Sequence, residues 1–174
     1  MKKLLLLLLL LPGICLAQFS AKDGLEKTQY LQEDFVDATT GDTIRRTHWL
    51  VLQRGSVERK LNIYFRISSI NHNYILDLRV IQGASKFAVA KYAPLQMKLE
   101  NGAELTLYNT EYQRSCKGCG ARGYKGNDAE GVELSYPITE AALALLLDAH
   151  VARLKFTDGN GTYNRPVKEN EAQT

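Results

Sequence analysis

The chain has 174 residues and a formal net charge of +3 at pH 7. A length of this order corresponds to one domain with a substantial hydrophobic core. The nearly neutral charge gives no support for general nucleic-acid binding, which needs a strongly basic surface.

The amino-terminal segment has the organisation of a secretory signal peptide. A pair of lysines precedes the apolar run Leu4–Leu11, and a small residue, Ala17, stands just before the expected cleavage point. The apolar run is shorter than the ~20 residues that cross a bilayer. We therefore expect a periplasmic or extracellular protein. Lipidation of Cys15 is not favoured, because that signal needs a small residue before the cysteine and Ile14 stands there.

Cleavage after Ala17 leaves 157 residues, Gln18–Thr174, with a net charge of +1. The two ends of this mature chain, Gln18–Lys27 and Lys168–Thr174, are polar and lack periodicity, so we expect both to be loose. No repeat, linker or long apolar run interrupts the rest. The pattern predicts a single β-rich domain without a membrane-spanning segment.

Alternating apolar and polar residues predict strands over most of this domain. The alternation is strongest in Leu61–Ile67 and Tyr74–Val80, which the predicted loop Ser69–Asn73 connects. Further predicted strands are Tyr30–Phe35, Ile44–Gln53 and Phe87–Val89. Eight or so strands in close succession favour antiparallel pairing.

A hairpin follows, and its register can be derived from the apolar positions. These positions are Leu95, Met97 and Leu99 on one strand and Ala103, Leu105 and Leu107 on the other. A two-residue loop would mix the apolar and polar faces. A three-residue loop that ends at Gly102 sets Met97 opposite Leu105 and keeps one apolar face. Gly102 would then adopt the left-handed conformation of a bulged turn.

The stretch Val132–Phe156 has the pattern of a strand, a helix and a second strand. Pro137 is expected to end the first strand, because a proline donates no ladder hydrogen bond. Thr139 is a fair N-cap for a short leucine-rich helix without a polar face. Such a helix is normally covered on most sides, so we expect a core helix against the sheet. A membrane-binding helix is the alternative, but the basic polar face of such helices is missing.

The predicted fold class is mainly β, either a β-sandwich or a curled antiparallel sheet, with one short carboxyl-terminal helix packed on the sheet. The mature chain keeps two cysteines, Cys116 and Cys119. They are expected to form a disulfide that stiffens a hairpin tip. Thiol–disulfide exchange is the functional alternative, since neighbouring cations would favour a thiolate. Redox motifs with this spacing usually open a helix, which the following residues do not predict.

The glycine-rich segment around the cysteines carries aromatic and basic side chains that would suit an anionic group or a glycan. The candidate ligand-binding residues are Tyr112, Arg114, Lys117, Arg122, Tyr124 and Lys125. The alternative is a basic loop that is only solvated, as most surface loops are.

Catalytic and metal-binding signatures do not stand out. The serines lack the glycine-flanked elbow of a hydrolase nucleophile. Carboxylate pairs such as Glu130 and Glu133 are not selected by spacing alone. A zinc site on the cysteines would need two more ligands, and the three histidines are scattered, so we expect no metal and no cofactor. A hydrolase site assembled from loops would escape such patterns.

Three segments together resemble a known group of proteins. They are the run Leu105–Tyr112, the cysteine loop Ser115–Gly120 and Tyr136–Thr139 before the helix. With the leader that ends at Ala17, they make the chain similar to small exported β-rich proteins of Bacteroidetes-type bacteria. The resemblance covers most of the mature chain and implies a periplasmic or secreted bacterial protein. It implies no activity, so it assigns no functional residue.

Two functional hypotheses follow. The first is a non-enzymatic binding or structural module at the cell envelope, whose partner is an envelope protein or a glycan and not a nucleic acid. The second is a thiol–disulfide active protein that uses Cys116 and Cys119.

Overall fold

The computed structural model describes residues 31–53, 61–83, 85–119 and 129–167. The signal peptide and both loose ends of the sequence analysis lie outside these ranges. Within them the chain forms thirteen strands and one helix, α1 (Glu140–Asp148). The strands are β1 (Leu31–Val36), β2 (Thr43–Thr47), β3 (Leu50–Gln53), β4 (Asn62–Ile70), β5 (Asn73–Gln82), β6 (Ala88–Val89), β7 (Pro94–Leu99), β8 (Glu104–Tyr108), β9 (Gln113–Arg114), β10 (Cys116–Lys117), β11 (Glu130–Ile138), β12 (Val151–Asp158) and β13 (Gly161–Pro166).

Most of these strands belong to two antiparallel sheets. The seven-stranded sheet has the order β1-β2-β4-β5-β11-β10, and β3 also pairs with β4. The four-stranded sheet has the order β13-β12-β7-β8, and β6 with β9 forms a short separate ladder. The prediction of a mainly β fold with antiparallel sheets and one short helix is confirmed.

The two sheets enclose one hydrophobic core. Leu78 of β5 and Leu134 of β11 face it from the seven-stranded sheet, and Leu95 of β7 and Phe156 of β12 face it from the four-stranded sheet. All four side chains are almost completely buried. Because alternate residues of a strand point to opposite faces, the long strands supply most of their apolar residues to the core and most of their polar residues to the outside. The architecture is therefore a β-sandwich.

The connection between β4 and β5 is tighter than the predicted loop. Ser69–Asn73 was predicted as a loop, but only Asn71 and His72 lie between the two strands. Their φ angles are 49° and 66°, as in two-residue turns whose twist matches that of the flanking strands. Asn71 Oδ1 also accepts a hydrogen bond from Thr43 N at 2.9 Å. This bond ties the turn to β2.

The β7–β8 hairpin has the predicted register. Met97 lies opposite Leu105, and Leu99 N donates to Ala103 O at 2.8 Å. Gly102 has a φ of 87°, the left-handed conformation that the bulged turn requires. The prediction is confirmed because only this register places all the apolar side chains on the core side.

β11 continues through Pro137, so the prediction that this proline ends the strand is wrong. Pro137 lies opposite Ile75 of β5. In the described ranges, β10 covers the other side of β11 only at Glu130 and Gly131. Near Pro137 that side is therefore a sheet edge, where the missing N–H of a proline is tolerated.

The helix begins as predicted but is more exposed than expected. Thr139 Oγ1 accepts a hydrogen bond from Ala142 N at 3.2 Å, which satisfies one of the first free N–H groups. Ala142 and Leu143 are the buried residues of α1, whereas Leu147 is 46% exposed. The expectation that the helix is covered on most sides is wrong. The helix connects the two sheets, and only one of its sides faces the core. The described residues contain no helix with the length and hydropathy of a membrane span.

Candidate functional site

The predicted disulfide between Cys116 and Cys119 is formed. Cys116 lies in β10 and is exposed. Cys119 N donates to Cys116 O at 3.1 Å, and Gly118 between them has a φ of 73°. A covalent bond and a backbone hydrogen bond thus close the same short turn. Cys116 stands in a strand, whereas the reactive cysteine of redox motifs with this spacing opens a helix.

Gly131 of β11 allows the disulfide turn to lie directly on the sheet. It is the pairing partner of Cys116. A Cβ atom at Gly131 would overlap the backbone carbonyl oxygen of Cys119. A glycine inside a strand often marks such a close approach of another backbone.

An open cleft of about 730 Å³ lies beside this turn. Residues of β5, β9, β10 and β11 surround it. Its lining consists of Arg79, Gln113, Arg114, Cys116, Lys117, Gly118, Cys119, Gly131, Val132 and Glu133. Three of these side chains are cationic and one is a carboxylate, so the described lining has a net positive charge. A concave surface with an excess of one sign of charge attracts ligands of the opposite sign.

Arg79 is the most firmly held cation of the cleft. Its Nε and Nη2 atoms donate to Glu133 Oε1 at 3.0 and 2.6 Å, across the pair of β5 and β11. Its guanidinium carbon lies 4.1 Å from the ring centroid of Trp49, within the range of a cation–π contact. The Arg79 side chain is only 14% exposed. These contacts give the cleft a fixed wall at this point.

Two of the six candidate ligand-binding residues line the cleft. Arg114 ends β9 and Lys117 ends β10, and both are exposed. Tyr112 stands directly before β9 and is 62% exposed. The remaining candidates, Arg122, Tyr124 and Lys125, lie outside the described residues. The structure therefore brings Arg114 and Lys117 together and places Tyr112 beside them.

Sequence reasoning did not assign the other two charged residues of the cleft, Arg79 and Glu133, to the site. They lie 54 residues apart in the chain, and no spacing rule relates residues so distant. The alternation of apolar and polar residues in β5 and β11 predicted that Arg79 and Glu133 face away from the core. It could not predict that they stand opposite each other.

A second group of charges lies on the same face of the sheet. Asp77 Oδ2 accepts hydrogen bonds from Arg66 Nε at 3.0 Å and Ser68 Oγ at 2.6 Å. Asp77 Oδ1 accepts one from Ser135 Oγ at 2.9 Å. The Arg66 guanidinium carbon lies 4.4 Å from the ring centroid of Trp49. Because Trp49 also contacts an arginine of the cleft, it joins the two groups.

The side chains that most resemble catalytic groups are buried. Ser115 and Glu130 are 6% and 4% exposed, and Ser115 Oγ donates to Glu130 Oε2 at 2.8 Å. The same hydroxyl oxygen accepts a hydrogen bond from Phe87 N at 2.9 Å. This arrangement fastens the segment before β6 to β11 and offers no surface to a substrate. Glu133 is exposed on the opposite face, so it forms no carboxylate pair with Glu130.

Another buried polar group closes the turn between β12 and β13. Tyr163 Oη donates to Gln82 Oε1 at 2.9 Å, and Gln82 Nε2 donates to Asp158 Oδ2 at 2.5 Å. Asp158 Oδ1 accepts from the backbone N–H groups of Asn160 and Gly161. Burial and the negative charge of Asp158 raise the pKa of Tyr163, while the bond to Gln82 opposes this shift. The arrangement stabilises the turn.

Two buried polar atoms of the described residues have no hydrogen-bond partner there, Asn109 Oδ1 and Tyr136 Oη. Tyr136 is completely buried in the core, and this burial raises the pKa of its hydroxyl above the ordinary value. Asn109 keeps one bond, from its Nδ2 to Glu111 O at 2.6 Å. This bond holds the bend that follows β8.

The described residues contain no group of three or more histidine, cysteine, aspartate or glutamate side chains placed to hold a metal ion. Cys116 and Cys119 are bonded to each other, and zinc binds cysteine as free thiolate.

The fold and the cleft define a small β-sandwich with an open, cation-lined site beside a disulfide. No protein-family model, curated protein or solved structure matches the chain.

Proposed function

We propose that the protein is an exported, non-enzymatic binding module of the bacterial cell envelope, and that its cleft takes an anionic group of an envelope protein or glycan. The observation that carries the proposal is the position of Arg114 and Lys117 beside Arg79 in one open cleft. An arginine guanidinium matches a carboxylate, sulfate or phosphate through two parallel hydrogen bonds. Lysine adds a compact positive charge.

Export is supported by two features of the chain. The leader that ends at Ala17 has the three-part organisation of a secretory signal. The disulfide between Cys116 and Cys119 is of a kind that persists in oxidising compartments. The resemblance to exported proteins of Bacteroidetes-type bacteria points in the same direction.

The chemistry of the cleft favours binding over catalysis. Its described ionisable side chains are Arg79, Arg114, Lys117 and Glu133. Arginine stays protonated and cannot act as a base. Glu133 accepts two hydrogen bonds from Arg79. A cleft with these groups can orient an anion, but it presents no nucleophile paired with a base among the described residues.

Sedimentation with isolated cell envelopes tests the binding role. The mature chain, with its disulfide formed, is mixed with envelopes of Bacteroidetes-type bacteria. We expect binding that weakens as salt rises, because salt screens exposed charges. The double variant Arg114→Gln/Lys117→Gln should bind about tenfold more weakly or worse. Lys98→Gln/Lys155→Gln is the matched control, since both lysines are exposed on the four-stranded sheet.

Two results would contradict the proposal. One is binding that the cleft variant leaves unchanged, and the other is no binding at any salt concentration. Export needs a separate experiment, in which the full chain is expressed in a Gram-negative host. We expect a periplasmic product that begins at Gln18, whereas an uncleaved cytoplasmic product would refute export.

Thiol–disulfide exchange is the second candidate function, favoured by the exposure of Cys116 and the nearby cations Arg114 and Lys117. In this reaction the disulfide accepts two electrons from a dithiol partner, which leaves as its own disulfide. Equilibration with glutathione or dithiothreitol buffers measures the reduction potential. A potential below about −300 mV indicates a structural disulfide, and a clearly higher one indicates exchange.

A further inference from the structure

The residues that line the cleft are held in place by two different kinds of structure. Arg79 and Glu133 stand on β5 and β11, which pair along the whole length of β11, and β5 is paired with β4 on its other side. The disulfide turn, Cys116–Cys119, also lines the cleft with each of its residues. Its strand, β10, is only two residues long. One part of the cleft is therefore fixed by central strands, and another part depends on a short turn.

The described contacts between the disulfide turn and the sheet are made by its backbone. The ladder between β10 and β11 has two residue pairs, and Gly118 N donates to Ala129 O at 2.9 Å. Among the described residues, the hydrophobic core takes no side chain from the turn. A segment of this kind opens locally at a small cost in free energy. The disulfide opposes opening, because a covalent link between Cys116 and Cys119 removes many of the conformations that the open turn could adopt.

Arg114 is anchored by contacts that do not involve the disulfide. It pairs with Ala88 of β6, and the next residue, Ser115, is buried. Ser115 Oγ donates to Glu130 Oε2 at 2.8 Å, which ties this point of the chain to β11. Opening of the turn would therefore leave Arg114 in place and release Lys117, which stands between the two cysteines.

The disulfide lies where a reductant can reach it. Both cysteines line the open cleft, and Cys116 is exposed. Exposed disulfides are more easily reduced than buried structural ones, and the regulatory disulfides of proteins are among them. The neighbouring cations Arg114 and Lys117 favour the thiolate that leaves when a disulfide is attacked.

We propose that the disulfide between Cys116 and Cys119 is a redox switch of the cleft, which holds Lys117 in position for the anion while the bond is intact. The inference rests on the anion-binding function above and adds its regulation. A dithiol partner attacks the disulfide, a mixed disulfide forms, and the second thiol of the partner resolves it. Two electrons and two protons pass to the protein, which gains two thiols, and the partner leaves as a disulfide.

The switch differs from the exchange activity considered above in what the reaction changes. In the exchange activity the disulfide serves to oxidise a partner. In the switch, reduction lowers the affinity of the protein itself, because Lys117 no longer stays beside Arg79 and Arg114. Reoxidation would restore the affinity.

Sedimentation with isolated cell envelopes at one low salt concentration tests the switch in the wild type, Lys117→Gln and Arg114→Gln. Each protein is used with its disulfide and with Cys116→Ser/Cys119→Ser added, so that no reductant acts on the envelopes. We expect removal of the disulfide to weaken binding of the wild type about threefold, as for the loss of one exposed ion pair. Removal should weaken binding of Arg114→Gln by the same factor. It should not weaken binding of Lys117→Gln further, because the two changes act on one contact.

Reduction itself is tested on the wild type with dithiothreitol. The new thiols are capped with iodoacetamide, and both reagents are removed before the protein meets the envelopes. The capped protein should bind as weakly as the serine variant. Thermal unfolding shows that each form is folded. The fluorescence of Trp49, the single tryptophan of the chain, should stay unchanged, because its contact with Arg79 lies on the part of the cleft that the central strands fix.

The outcomes separate the switch from the function on which it rests. Binding that depends on Arg114 but is equal with and without the disulfide would overturn the switch and leave anion binding intact. A further loss in Lys117→Gln, or a change in Trp49 fluorescence, would also overturn it, since the disulfide would then act on more than this lysine. So would a disulfide that dithiothreitol does not reduce in the folded protein. No binding by the intact wild type would refute both proposals.

Discussion

The outer faces of the two sheets both carry charged residues, but the charges are held differently. On the seven-stranded sheet, Asp77 of β5 accepts hydrogen bonds from Arg66 on β4 and Ser135 on β11. On the four-stranded sheet, Lys98 of β7 lies 4.0 Å from Glu104 on β8. The other cross-strand neighbour of Lys98 is a second cation, Arg153 on β12.

The difference arises from the residue types that stand opposite one another. Both neighbours of Asp77 are donors, so one carboxylate joins three strands. Lys98 has one acidic and one basic neighbour, and like charges across a strand pair destabilise it. The outer face of the seven-stranded sheet is therefore a connected network that ends at the cleft. The other outer face is a set of solvated side chains.

The largest effect is expected from Asp77→Ala. The substitution leaves Arg66 and Ser68, which are mostly buried, without their carboxylate acceptor. Breaking such a pair should lower the free energy of unfolding by about 3 kcal/mol. Glu104→Ala is the counterpart on the other sheet and should cost less than about 0.5 kcal/mol, because its side chain is 74% exposed. Urea unfolding measures both, and equal losses would refute the contrast.

Gly131→Ala should have the next largest effect. The new Cβ would overlap the carbonyl oxygen of Cys119, so β10 and the disulfide turn must move away from β11. Overpacking of this kind costs about 2 kcal/mol. Gly83→Ala is the control, because no atom lies within 4 Å of its added Cβ. A Gly131→Ala protein as stable as the wild type would show that the turn does not lie against the sheet.

Removal of the disulfide should have the third largest effect. It should lower the free energy of unfolding by about 2 kcal/mol, which is the chain-entropy value for closing so short a loop. Cys116 and Cys119 are three positions apart. Denaturant unfolding of the oxidised protein and the Cys116→Ser/Cys119→Ser variant measures this loss. Reductant should destabilise the first and leave the variant unaffected. If the unfolding free energies agree, the disulfide does not stabilise this end of the sheet.

The smallest effect is expected at Asp37, an exposed carboxylate in the turn between β1 and β2. Its Oδ1 accepts hydrogen bonds from Thr39 N at 2.7 Å and Thr40 N at 3.1 Å. These bonds lower the pKa of Asp37 below its ordinary value of 3.8. Because the folded pKa is the lower one, the stabilisation is present above pH 3.8 and is lost as the pH falls through the folded value.

Carboxyl NMR titration checks the pKa of Asp37. Unfolding of the Asp37→Asn variant at several pH values checks its contribution to stability. The wild type should be slightly more stable than the variant at neutral pH, and the two should converge in acid. A pKa at or above the ordinary value would show that the backbone bonds are absent in solution. The two aspartates thus represent the largest and the smallest expected contribution of a carboxylate to stability. Asp77 has side-chain donors on two strands, whereas Asp37 has backbone donors in one turn.

The local features of the fold could be predicted from the sequence. The register of the β7–β8 hairpin follows from Met97 and Leu105, since a slip by one residue would turn every apolar side chain outward. Thr139 marked the start of the helix through its side-chain oxygen. Pro137 was misinterpreted because its effect depends on whether the strand has a neighbour at that point.

The candidate site could be predicted only in part. Arg114 and Lys117 were identified because they lie next to the cysteines in the chain. Arg79 and Glu133 were not, because their pairing depends on how β5 aligns with β11.

The sequence by itself determined the alternation of apolar and polar residues, the turns and caps, and the pairing of two nearby cysteines, because each of these depends on neighbours along the chain. The tertiary structure decided which outward-facing residues meet. Cross-strand contacts join residues such as Arg79 and Glu133, 54 positions apart, and their geometry is set by the packing of whole strands. The cleft exists only at that level.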